Sequence, residues 1–415
     1  MNNSFKKISC CRVCKNTKLD TCIDLGEQFL SGIFPSSVDK SMPNAPLELV
    51  KCSTSNSGCG LIQLNGTYDL DTMYGSNYGY RSGLNSHMIE HLNNKARKIN
   101  ELYNDKDSNI ILDIAGNDGT FLSFFDQKDN LISIDPSADK FAEFYSEHVS
   151  YISDFFSSSL FKNKFKNKKA KIITSFSMFY DLENPCEFSR EVNDVLDPND
   201  GVWILEQSYA PQMYKMNSFD TICHEHLSYY CIKQLKYIMD SSNFKIIDIE
   251  MNDINGGSCS LTVANKKSKY VECIDKINHW IDYESKLRID ELSTWKAFDK
   301  KIENNKRDFY EILANIKKNG NKIAALGAST KGNVTLQSWE LTNKDIDVIG
   351  DVNPDKWGKF TPGTWIPIDN EINVLSQYDY FVILPWHFKK FFLDNKKFIG
   401  KTFIFPLPTP KIIKV

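Results

Sequence analysis

The sequence predicts an α/β protein in three parts: a small cysteine-rich N-terminal domain, a doubly wound α/β domain, and a second, C-terminal α/β domain. Six of the eleven cysteines lie between residues 10 and 59, apolar runs of strand length alternate with helical patterns from residue 84 onward, and a second strand–turn–helix series begins at residue 322. Alternating strands and helices favour a parallel sheet. A chain of 415 residues can hold two or three cores. We therefore place the domains at residues 1–74, 75–285 and 286–415.

Composition and charge argue against several classes of function. The chain has 41% hydrophobic and 25% charged residues, which is ordinary for a soluble globular protein. A formal net charge of −3 gives no electrostatic reason to expect nucleic acid or an acidic membrane as a partner. We find no apolar run long enough for a membrane span and no signal-peptide pattern. The odd number of cysteines then indicates a reducing compartment, so we expect a cytoplasmic protein without disulfides.

The N-terminal cysteines have the spacing of a metal site. Cys11-Arg-Val-Cys14 is a C-x2-C pair that can grip a tetrahedral ion, and Cys52 and Cys59 can supply two further thiolates. Residues 1–65 offer too little apolar material for a core without metal, which favours zinc over a set of unrelated buried or surface thiols. Four thiolates leave no open coordination position, so we predict a structural Zn²⁺.

A loop rich in tyrosine and glycine follows at residues 66–82. We name Tyr78 and Tyr80 as candidates to line a substrate pocket, the alternative being that they pack against the next domain. A helical pattern at 84–102 then leads to an apolar strand at 109–115.

This strand runs into the glycine turn Gly116-Asn-Asp-Gly119 and a helical pattern at 120–125. Such a turn places backbone N–H groups at the mouth of a sheet. The next strand, 131–134, ends at Asp135, about twenty residues past the turn, where an acid can bind ribose hydroxyls.

The remaining strands of this domain decide its layout. Strands are predicted at 170–176 and 202–206, and then at 245–250 and 258–264 around the short turn 252–257. A turn rich in Asn and Gly makes the last two an antiparallel hairpin. A parallel sheet closed by an antiparallel edge hairpin fits the class I methyltransferase layout better than a dehydrogenase.

The glycine turn favours S-adenosylmethionine over NAD. It lacks the first glycine of the dinucleotide pattern G-x-G-x-x-G, and Asp113 leads into it. A carboxylate there suits the cationic amino group of S-adenosylmethionine and would repel a pyrophosphate. The predicted cofactor-binding residues are Asp113, Gly116, Asn117, Asp118, Gly119, Asp135 and Ser175.

The densest group of proton-transfer and metal-binding side chains is Cys223-His-Glu-His226. In an extended segment the two histidines, at i and i+2, point the same way with Glu225 opposite, which suits an acid/base site. The alternatives are a polar loop that caps the following helix, or a pair of histidines that binds a metal.

Residues 266–318 are charged and helical in pattern, and we interpret them as connector helices whose apolar stripe faces the core. A Rossmann-like unit follows, with strands at 322–326, 346–350 and 380–384. Its turn 327–332 carries small residues and a lysine at a helix start, which suits a diphosphate, although an ordinary turn with a surface lysine would look the same. The predicted substrate-binding residues here are Ser329, Lys331, Gly332, Asn333 and Asp351.

Several motifs in one order resemble the sugar C-methyltransferase family. They are Cys11-Arg-Val-Cys14 with Cys52 and Cys59, Ser76-Asn-Tyr-Gly-Tyr-Arg-Ser82, Asn117-Asp-Gly119, Phe219-Asp-Thr with His224-Glu-His226, Gly327-Ala-Ser-Thr-Lys-Gly-Asn333 and Pro362-Gly-Thr-Trp-Ile-Pro367. The resemblance spans nearly the whole chain. It implies a zinc-binding domain, an S-adenosylmethionine domain and a domain that helps hold a nucleotide-linked keto-deoxysugar, in cell-surface or natural-product sugar biosynthesis.

The resemblance also implies the chemistry of the site. His226 is expected to remove the proton beside the ketone, with Glu225 and His224 orienting it or stabilising the enolate and Cys223 beside them. The chain departs from the family at Cys223, where a Tyr is usual, and at Asp181, where a His is usual.

Two other classes of function remain open. They are a nicotinamide-dependent sugar oxidoreductase and a non-catalytic nucleotide-sugar-binding relative. We expect no nucleic-acid or membrane partner, and a monomer or a homodimer.

Overall fold

The structure is a computed structural model that describes residues 5–39, 41–68, 73, 80–104, 108–166 and 168–415. The strands are β1 Lys6–Lys7, β2 Leu19–Phe29, β3 Asn44–Cys52, β4 Ile62–Leu64, β5 Gly66–Thr67, β6 Ile110–Ile114, β7 Asn130–Ile134, β8 Val149–Ile152, β9 Ile172–Phe176, β10 Val202–Ser208, β11 Ser228–Tyr229, β12 Phe244–Asn252, β13 Ser258–Asn265, β14 Ile323–Leu326, β15 Ile349–Asp351, β16 Ile368–Asn370, β17 Tyr380–Ile383, β18 Thr402–Phe405 and β19 Lys411–Lys414. The α-helices are α1 Ser86–Tyr103, α2 Ser158–Phe165, α3 Pro185–Val195, α4 Ala210–Met216, α5 Ile232–Ser241, α6 Ile274–Lys286, α7 Leu292–Lys318, α8 Thr330–Ser338, α9 Glu371–Gln377 and α10 Lys389–Asp394.

The middle of the chain forms a seven-stranded sheet in the order β12-β13-β10-β9-β6-β7-β8. Its strands from β10 to β8 are parallel, whereas β13 runs antiparallel to β10 and β12 antiparallel to β13. All five residues of β6 are buried, as expected for a central strand covered on both faces. The predicted doubly wound sheet with an antiparallel edge hairpin is confirmed.

The C-terminal sheet has six strands in the order β16-β15-β14-β17-β18-β19. They are parallel except for β19, which pairs antiparallel with β18. The predicted second Rossmann-like unit is confirmed, and the predicted connector helices before it are α6 and α7. Trp295 and Ile302 on α7 are buried, in agreement with a packing stripe.

One helix prediction in the middle domain is wrong. Residues 120–125 form a single 3-10 turn, Leu122–Phe124, and not a helix that continues from the glycine turn. The apolar pattern is real, because Phe121, Leu122 and Phe125 are buried. The next strand begins at Asn130, however, and so short a connection leaves room for only one turn before the chain must enter the sheet again.

The N-terminal sheet is completed by a strand from the middle domain. Its order is β11-β4-β3-β2, and β11 pairs with β4 through Ser228 opposite Gln63. Apolar residues of this sheet, of the stretch 219–231 and of the C-terminal domain share one core. The Cys-His-Glu-His stretch therefore lies where all three parts of the chain meet. No helix in the described ranges is long and apolar enough to cross a membrane.

Candidate active site

The four predicted zinc ligands meet at one point. The Sγ atoms of Cys11, Cys14, Cys52 and Cys59 all lie within 4.8 Å of one another, with Cys11–Cys59 at 3.6 Å and Cys14–Cys52 at 3.5 Å. A tetrahedral Zn²⁺ with bonds of about 2.3 Å sets its sulfur ligands about 3.8 Å apart. Thiol hydrogen bonds from Cys11 and Cys59 lower the pKa of Cys52, and burial opposes them. The donor set fits zinc, and Cys10 lies outside it.

Asp113 lies beneath the glycine turn. Its carboxylate is buried and accepts a hydrogen bond from Thr174 Oγ1 at 2.6 Å. Burial raises the pKa of Asp113 to about 7, the Thr174 hydrogen bond lowers it, and the neighbouring Asp135 raises it. A Cβ built on Gly116 would lie 2.4 Å from Ser133 Oγ and 3.0 Å from Asp113 Oδ2, so only glycine fits between this strand and its neighbour.

Asp135 is held rigidly at the end of β7. Its Oδ2 accepts from the backbone N–H of Asn117 at 2.9 Å, and its Oδ1 accepts from the N–H and hydroxyl of Ser137 at 2.6 and 2.5 Å. A carboxylate has about four acceptor positions, so one is left for a ligand hydroxyl. Asp135 therefore fits the ribose of S-adenosylmethionine. Ser175 is different, because it is buried and accepts from Trp203 Nε1 at 2.9 Å, which is a packing contact inside the sheet.

The segment before α1 covers the glycine turn. Asn117 Nδ2 donates to the carbonyl of Tyr80 at 3.1 Å, and Asp118 accepts from Arg81 Nε at 3.2 Å and from the N–H of Gly83 at 2.9 Å. The side chain of Tyr80 is 48% exposed. The other candidate, Tyr78, lies outside the described residues.

The Cys-His-Glu-His stretch is a turn, so the predicted extended geometry is wrong. The N–H of His226 donates to the carbonyl of Cys223 at 3.1 Å, which closes the chain over His224 and Glu225. A closed turn does not follow the two-residue alternation of a strand, so the histidines diverge. His224 Nε2 lies 3.1 Å from the carbonyl of Ala45 in β3, whereas His226 Nδ1 lies 2.7 Å from the carbonyl of Thr221.

Both imidazoles are kept neutral. Burial lowers the pKa of His224 to about 4, and it lowers that of His226 to about 4 with help from the cation of Lys331. The ring of Tyr180 packs edge-on against His226, with centroids 4.3 Å apart. His224 faces the N-terminal sheet and His226 does not, so the two rings do not bind one metal ion together. Within the described ranges, the group of side chains arranged to bind a metal ion is the four-cysteine group.

Glu225 lies at the junction of the three domains. Its Oε1 is 2.9 Å from the position of a Cβ on Gly32, and Thr330 Oγ1 of α8 is 3.9 Å from the same point. Its Oε2 is buried without a hydrogen-bond partner. Burial raises the pKa of Glu225, while the thiol of Cys223 donates to it and lowers it. Cys223 itself is buried, and burial together with the charge of Glu225 raises its pKa.

The candidates of the C-terminal domain divide into two kinds. Ser329 caps α8 by accepting from the N–H of Gly332 at 3.0 Å, and Asn333 is buried with Nδ2 donating to the carbonyl of Ser31 at 2.8 Å. Asp351 accepts from the N–H of Asn353 at 2.8 Å. Lys331 instead reaches into the middle domain, where Nζ donates to the carbonyl of Asn255 at 2.8 Å.

Three family models match the chain in order. Their descriptions name a zinc binding domain at residues 11–74, a methyltransferase domain at 85–249 and a C-methyltransferase C-terminal domain at 253–408. The C-methyltransferase NovU of Streptomyces niveus is 25% identical over 421 residues, which cover 100% of this chain and 99% of NovU. The chain belongs to the S-adenosylmethionine-dependent C-methyltransferases. Three predictions from the sequence are thereby confirmed: the family resemblance, S-adenosylmethionine as methyl donor, and the zinc-binding domain. The result also favours methyl transfer over nicotinamide chemistry.

Solved structures match this C-methyltransferase more weakly. An S-adenosylmethionine-dependent methyltransferase from Clostridium acetobutylicum is 10% identical and aligns with 43% of this chain and 92% of its own, at a TM-score of 0.32. The plantazolicin methyltransferase BpumL is 15% identical and aligns with 43% of this chain and 84% of its own, at a TM-score of 0.33.

The sequence missed two further polar residues of this C-methyltransferase, at the contact between the segment 219–226 and the C-terminal domain. Asp220 is 1% exposed, and its Oδ2 accepts from Trp386 Nε1 of the C-terminal domain at 2.7 Å. His387 follows in the same loop, and burial with the cation of Lys331 lowers its pKa to about 3. Asp220 lies in the Phe-Asp-Thr motif that carried the resemblance, which is the one signal that could have identified it.

Proposed function

We propose that this C-methyltransferase adds a methyl group to the carbon beside the ketone of a nucleotide-linked keto-deoxysugar. The observation that carries the proposal is the environment of His226: a neutral, half-buried imidazole where the zinc-binding, methyltransferase and C-terminal domains meet. A proton on a carbon beside a ketone is weakly acidic, so its removal needs a positioned base.

The tautomer of His226 supports the role of base. A carbonyl oxygen can only accept a hydrogen bond, so the Nδ1 that lies 2.7 Å from the Thr221 carbonyl carries the ring proton. In the neutral ring Nε2 is then the acceptor. Among the described residues, the hydrogen bond that the His226 ring makes is the one from Nδ1 to Thr221, which leaves Nε2 to take a proton from the substrate.

The residues act in a defined order in the proposed reaction. His226 Nε2 takes the proton, the C–H electron pair forms the enolate double bond, and negative charge moves to the carbonyl oxygen. S-adenosylmethionine, when bound, supplies an electrophilic methyl group whose S–CH₃ bond breaks as the new C–C bond forms. Asp113, Gly116 and Asp135 would hold that donor, and His226 afterwards releases its proton to water. The zinc cysteines would hold the N-terminal fold and take no part.

The substrate class is inferred from the C-terminal domain and from the family resemblance. Helix α8 begins with Ser329 as its N-cap at the end of β14, so its first N–H groups point out from a Rossmann-like turn. That is a favourable place for the diphosphate of a nucleotide-linked sugar. We propose a cytoplasmic enzyme, since none of its eleven cysteines is in a disulfide.

The direct test supplies methyl-¹³C-labelled S-adenosylmethionine together with nucleoside-diphosphate-linked 4-keto-6-deoxyhexoses that carry different bases. We expect one sugar to gain a methyl group whose NMR couplings place it on the carbon beside the ketone. Methylation on oxygen or nitrogen, or no transfer to any member of the panel, would overturn the proposal.

A further inference from the structure

Lys331 belongs to the C-terminal domain but places its ammonium group in the methyltransferase domain. Nζ donates to the carbonyl of Asn255, in the turn between β12 and β13, and the side chain of Asn255 donates to Ser177 Oγ at 3.3 Å, directly after β9. The first residue of β13, Ser258, is paired with Ser208 at the carboxyl end of β10. The ammonium therefore lies at the carboxyl edge of the parallel strands, where open α/β sheets bind their ligands.

The surroundings of this ammonium are those of the reacting centre. The charges of Asp220 and Cys223 act on this ammonium. Its own charge acts on Asp220, His226 and His387. Among the described residues no carboxylate lies within 4 Å of Nζ, so no salt bridge occupies it. Of the nearby Asp220, one oxygen is taken by Trp386, and the other is buried without a hydrogen-bond partner.

We propose that Lys331 is a catalytic residue that stabilises the enolate oxygen formed when His226 removes the α-proton. The inference rests on the proposed function and deepens it: it assigns Lys331 to the keto group of the sugar and not to the diphosphate. The C-terminal domain then contributes directly to the chemical step.

The charges in the pocket favour this arrangement. Burial lowers the pKa of Lys331, and the charges of Asp220 and Cys223 raise it. Lys331 and the neutral ring of His226 are connected through one segment, because Asn255, which accepts from Lys331, bonds to Ser177, and Tyr180, three residues further on, packs against His226. When His226 gains the proton, two cations would lie side by side unless negative charge appears between them. The enolate oxygen supplies that charge, because the C–H pair becomes the C=C bond and the carbonyl pair moves onto oxygen. The ammonium interacts more strongly with the enolate than with the ketone, which is the condition for catalysis.

Two substitutions separate charge from hydrogen bonding. Lys331→Gln keeps a donor for the Asn255 carbonyl but removes the charge, and Lys331→Arg keeps the charge. Lys306→Gln is the matched control, because Lys306 of α7 pairs with the exposed Glu340, two residues after α8, at 3.0 Å. We expect Lys331→Gln to lower kcat about 100- to 1,000-fold, with KM for the sugar changed less than about threefold. Lys331→Arg should recover part of kcat. Lys306→Gln should match wild type.

A second measurement needs no substrate. The imidazole of His226 is titrated by NMR in histidine-labelled protein, with His226→Asn used for assignment. Burial and, after it, the cation of Lys331 lower the pKa of His226, so this pKa should rise in Lys331→Gln and stay low in Lys331→Arg. An unchanged titration in Lys331→Gln would show that the ammonium does not face His226 and would overturn the inference.

The kinetic outcomes keep the two proposals apart. Suppose that the wild-type enzyme methylates a keto-sugar and that Lys331→Gln raises KM but keeps kcat. The proposed function would then stand, but Lys331 would be assigned to the diphosphate, which contradicts the inference. A wild-type enzyme inactive on every keto-sugar of the panel would contradict the function itself.

Discussion

His226 Nδ1 lies 2.7 Å from the carbonyl oxygen of Thr221, five residues earlier in the same segment. This contact fixes which ring nitrogen carries the proton and leaves the other nitrogen as an acceptor. The turn closed by Cys223 and His226 places the ring against Tyr180 and separates it from His224. The geometry therefore makes the two histidines inequivalent, and the proposed base is His226 alone.

His226→Asn should lower kcat about a thousandfold and leave the affinity for both substrates near normal, because general-base catalysis acts in the transition state. The Asn amide can still donate to the Thr221 carbonyl, so the turn should persist. Steady-state kinetics with equilibrium binding checks this. His224→Gln is the control and should keep most of kcat, and a His226→Asn enzyme with near-normal turnover would transfer the role of base to another residue.

Elemental analysis of purified protein should find about one zinc per chain. Removal of the metal by a chelator should unfold the N-terminal domain, because the four thiolates hold residues that have little apolar core of their own. Cys14→Ser should lose the zinc, whereas Cys10→Ser should keep it, since Cys10 lies outside the cluster. A metal-free protein with an unchanged unfolding curve would contradict the site.

Asp135→Ala should weaken the binding of S-adenosylmethionine by about 1.5–3 kcal/mol, because it removes a charge-assisted hydrogen bond to the ribose. Isothermal titration calorimetry measures the difference. Asp139→Asn is a suitable control, since Asp139 is exposed in the following turn. Equal affinity in Asp135→Ala and wild type would show that the ribose binds elsewhere.

Stability should fall in mild acid because of His224. Its side chain is 3% exposed, and burial lowers its pKa to about 4 from an ordinary value of 6.5. The unfolded chain then binds the proton more tightly, so stability is lost as the pH falls from about 6.5 toward 4. Between pH 8 and pH 5 this residue accounts for about 2 kcal/mol.

Urea denaturation at the two pH values tests the effect of His224. His224→Gln can still donate to the Ala45 carbonyl but does not titrate, so its stability should differ less between pH 8 and pH 5 than that of wild type. The exposed His148→Gln should behave like wild type. An equal loss of stability in His224→Gln and wild type would contradict the burial of a neutral imidazole.

Local patterns predicted the sheets and the zinc ligands well. The spacing of Cys11 and Cys14 places two thiolates in one tight turn, where they can bind the same ion. The Asn/Gly turn at 252–257 reverses the chain. Both features are therefore encoded over a few residues. The same applies to β6 and β7, which are short apolar runs bounded by turn residues.

The missed features depend on contacts between distant parts of the chain. The alternation argument for His224 and His226 holds only for an extended backbone, and here a turn closes over them because β11 must reach β4 of the N-terminal sheet. The bond from Trp386 to Asp220 joins two domains, so no local pattern indicates it. Lys331 has the sequence context of a phosphate-binding turn, and only the packing of the domains brings its ammonium to the Asn255 carbonyl of the methyltransferase domain.

The most direct test of the account follows the α-proton of the substrate in D₂O. The enzyme is saturated with S-adenosylhomocysteine, so that enolisation can occur without methyl transfer, and a nucleoside-diphosphate-linked 4-keto-6-deoxyhexose that the wild-type enzyme methylates is added. NMR should show deuterium entering the carbon beside the ketone with wild type and about a thousandfold more slowly with His226→Asn. Equal exchange rates in the two proteins would contradict the central claim that His226 removes this proton.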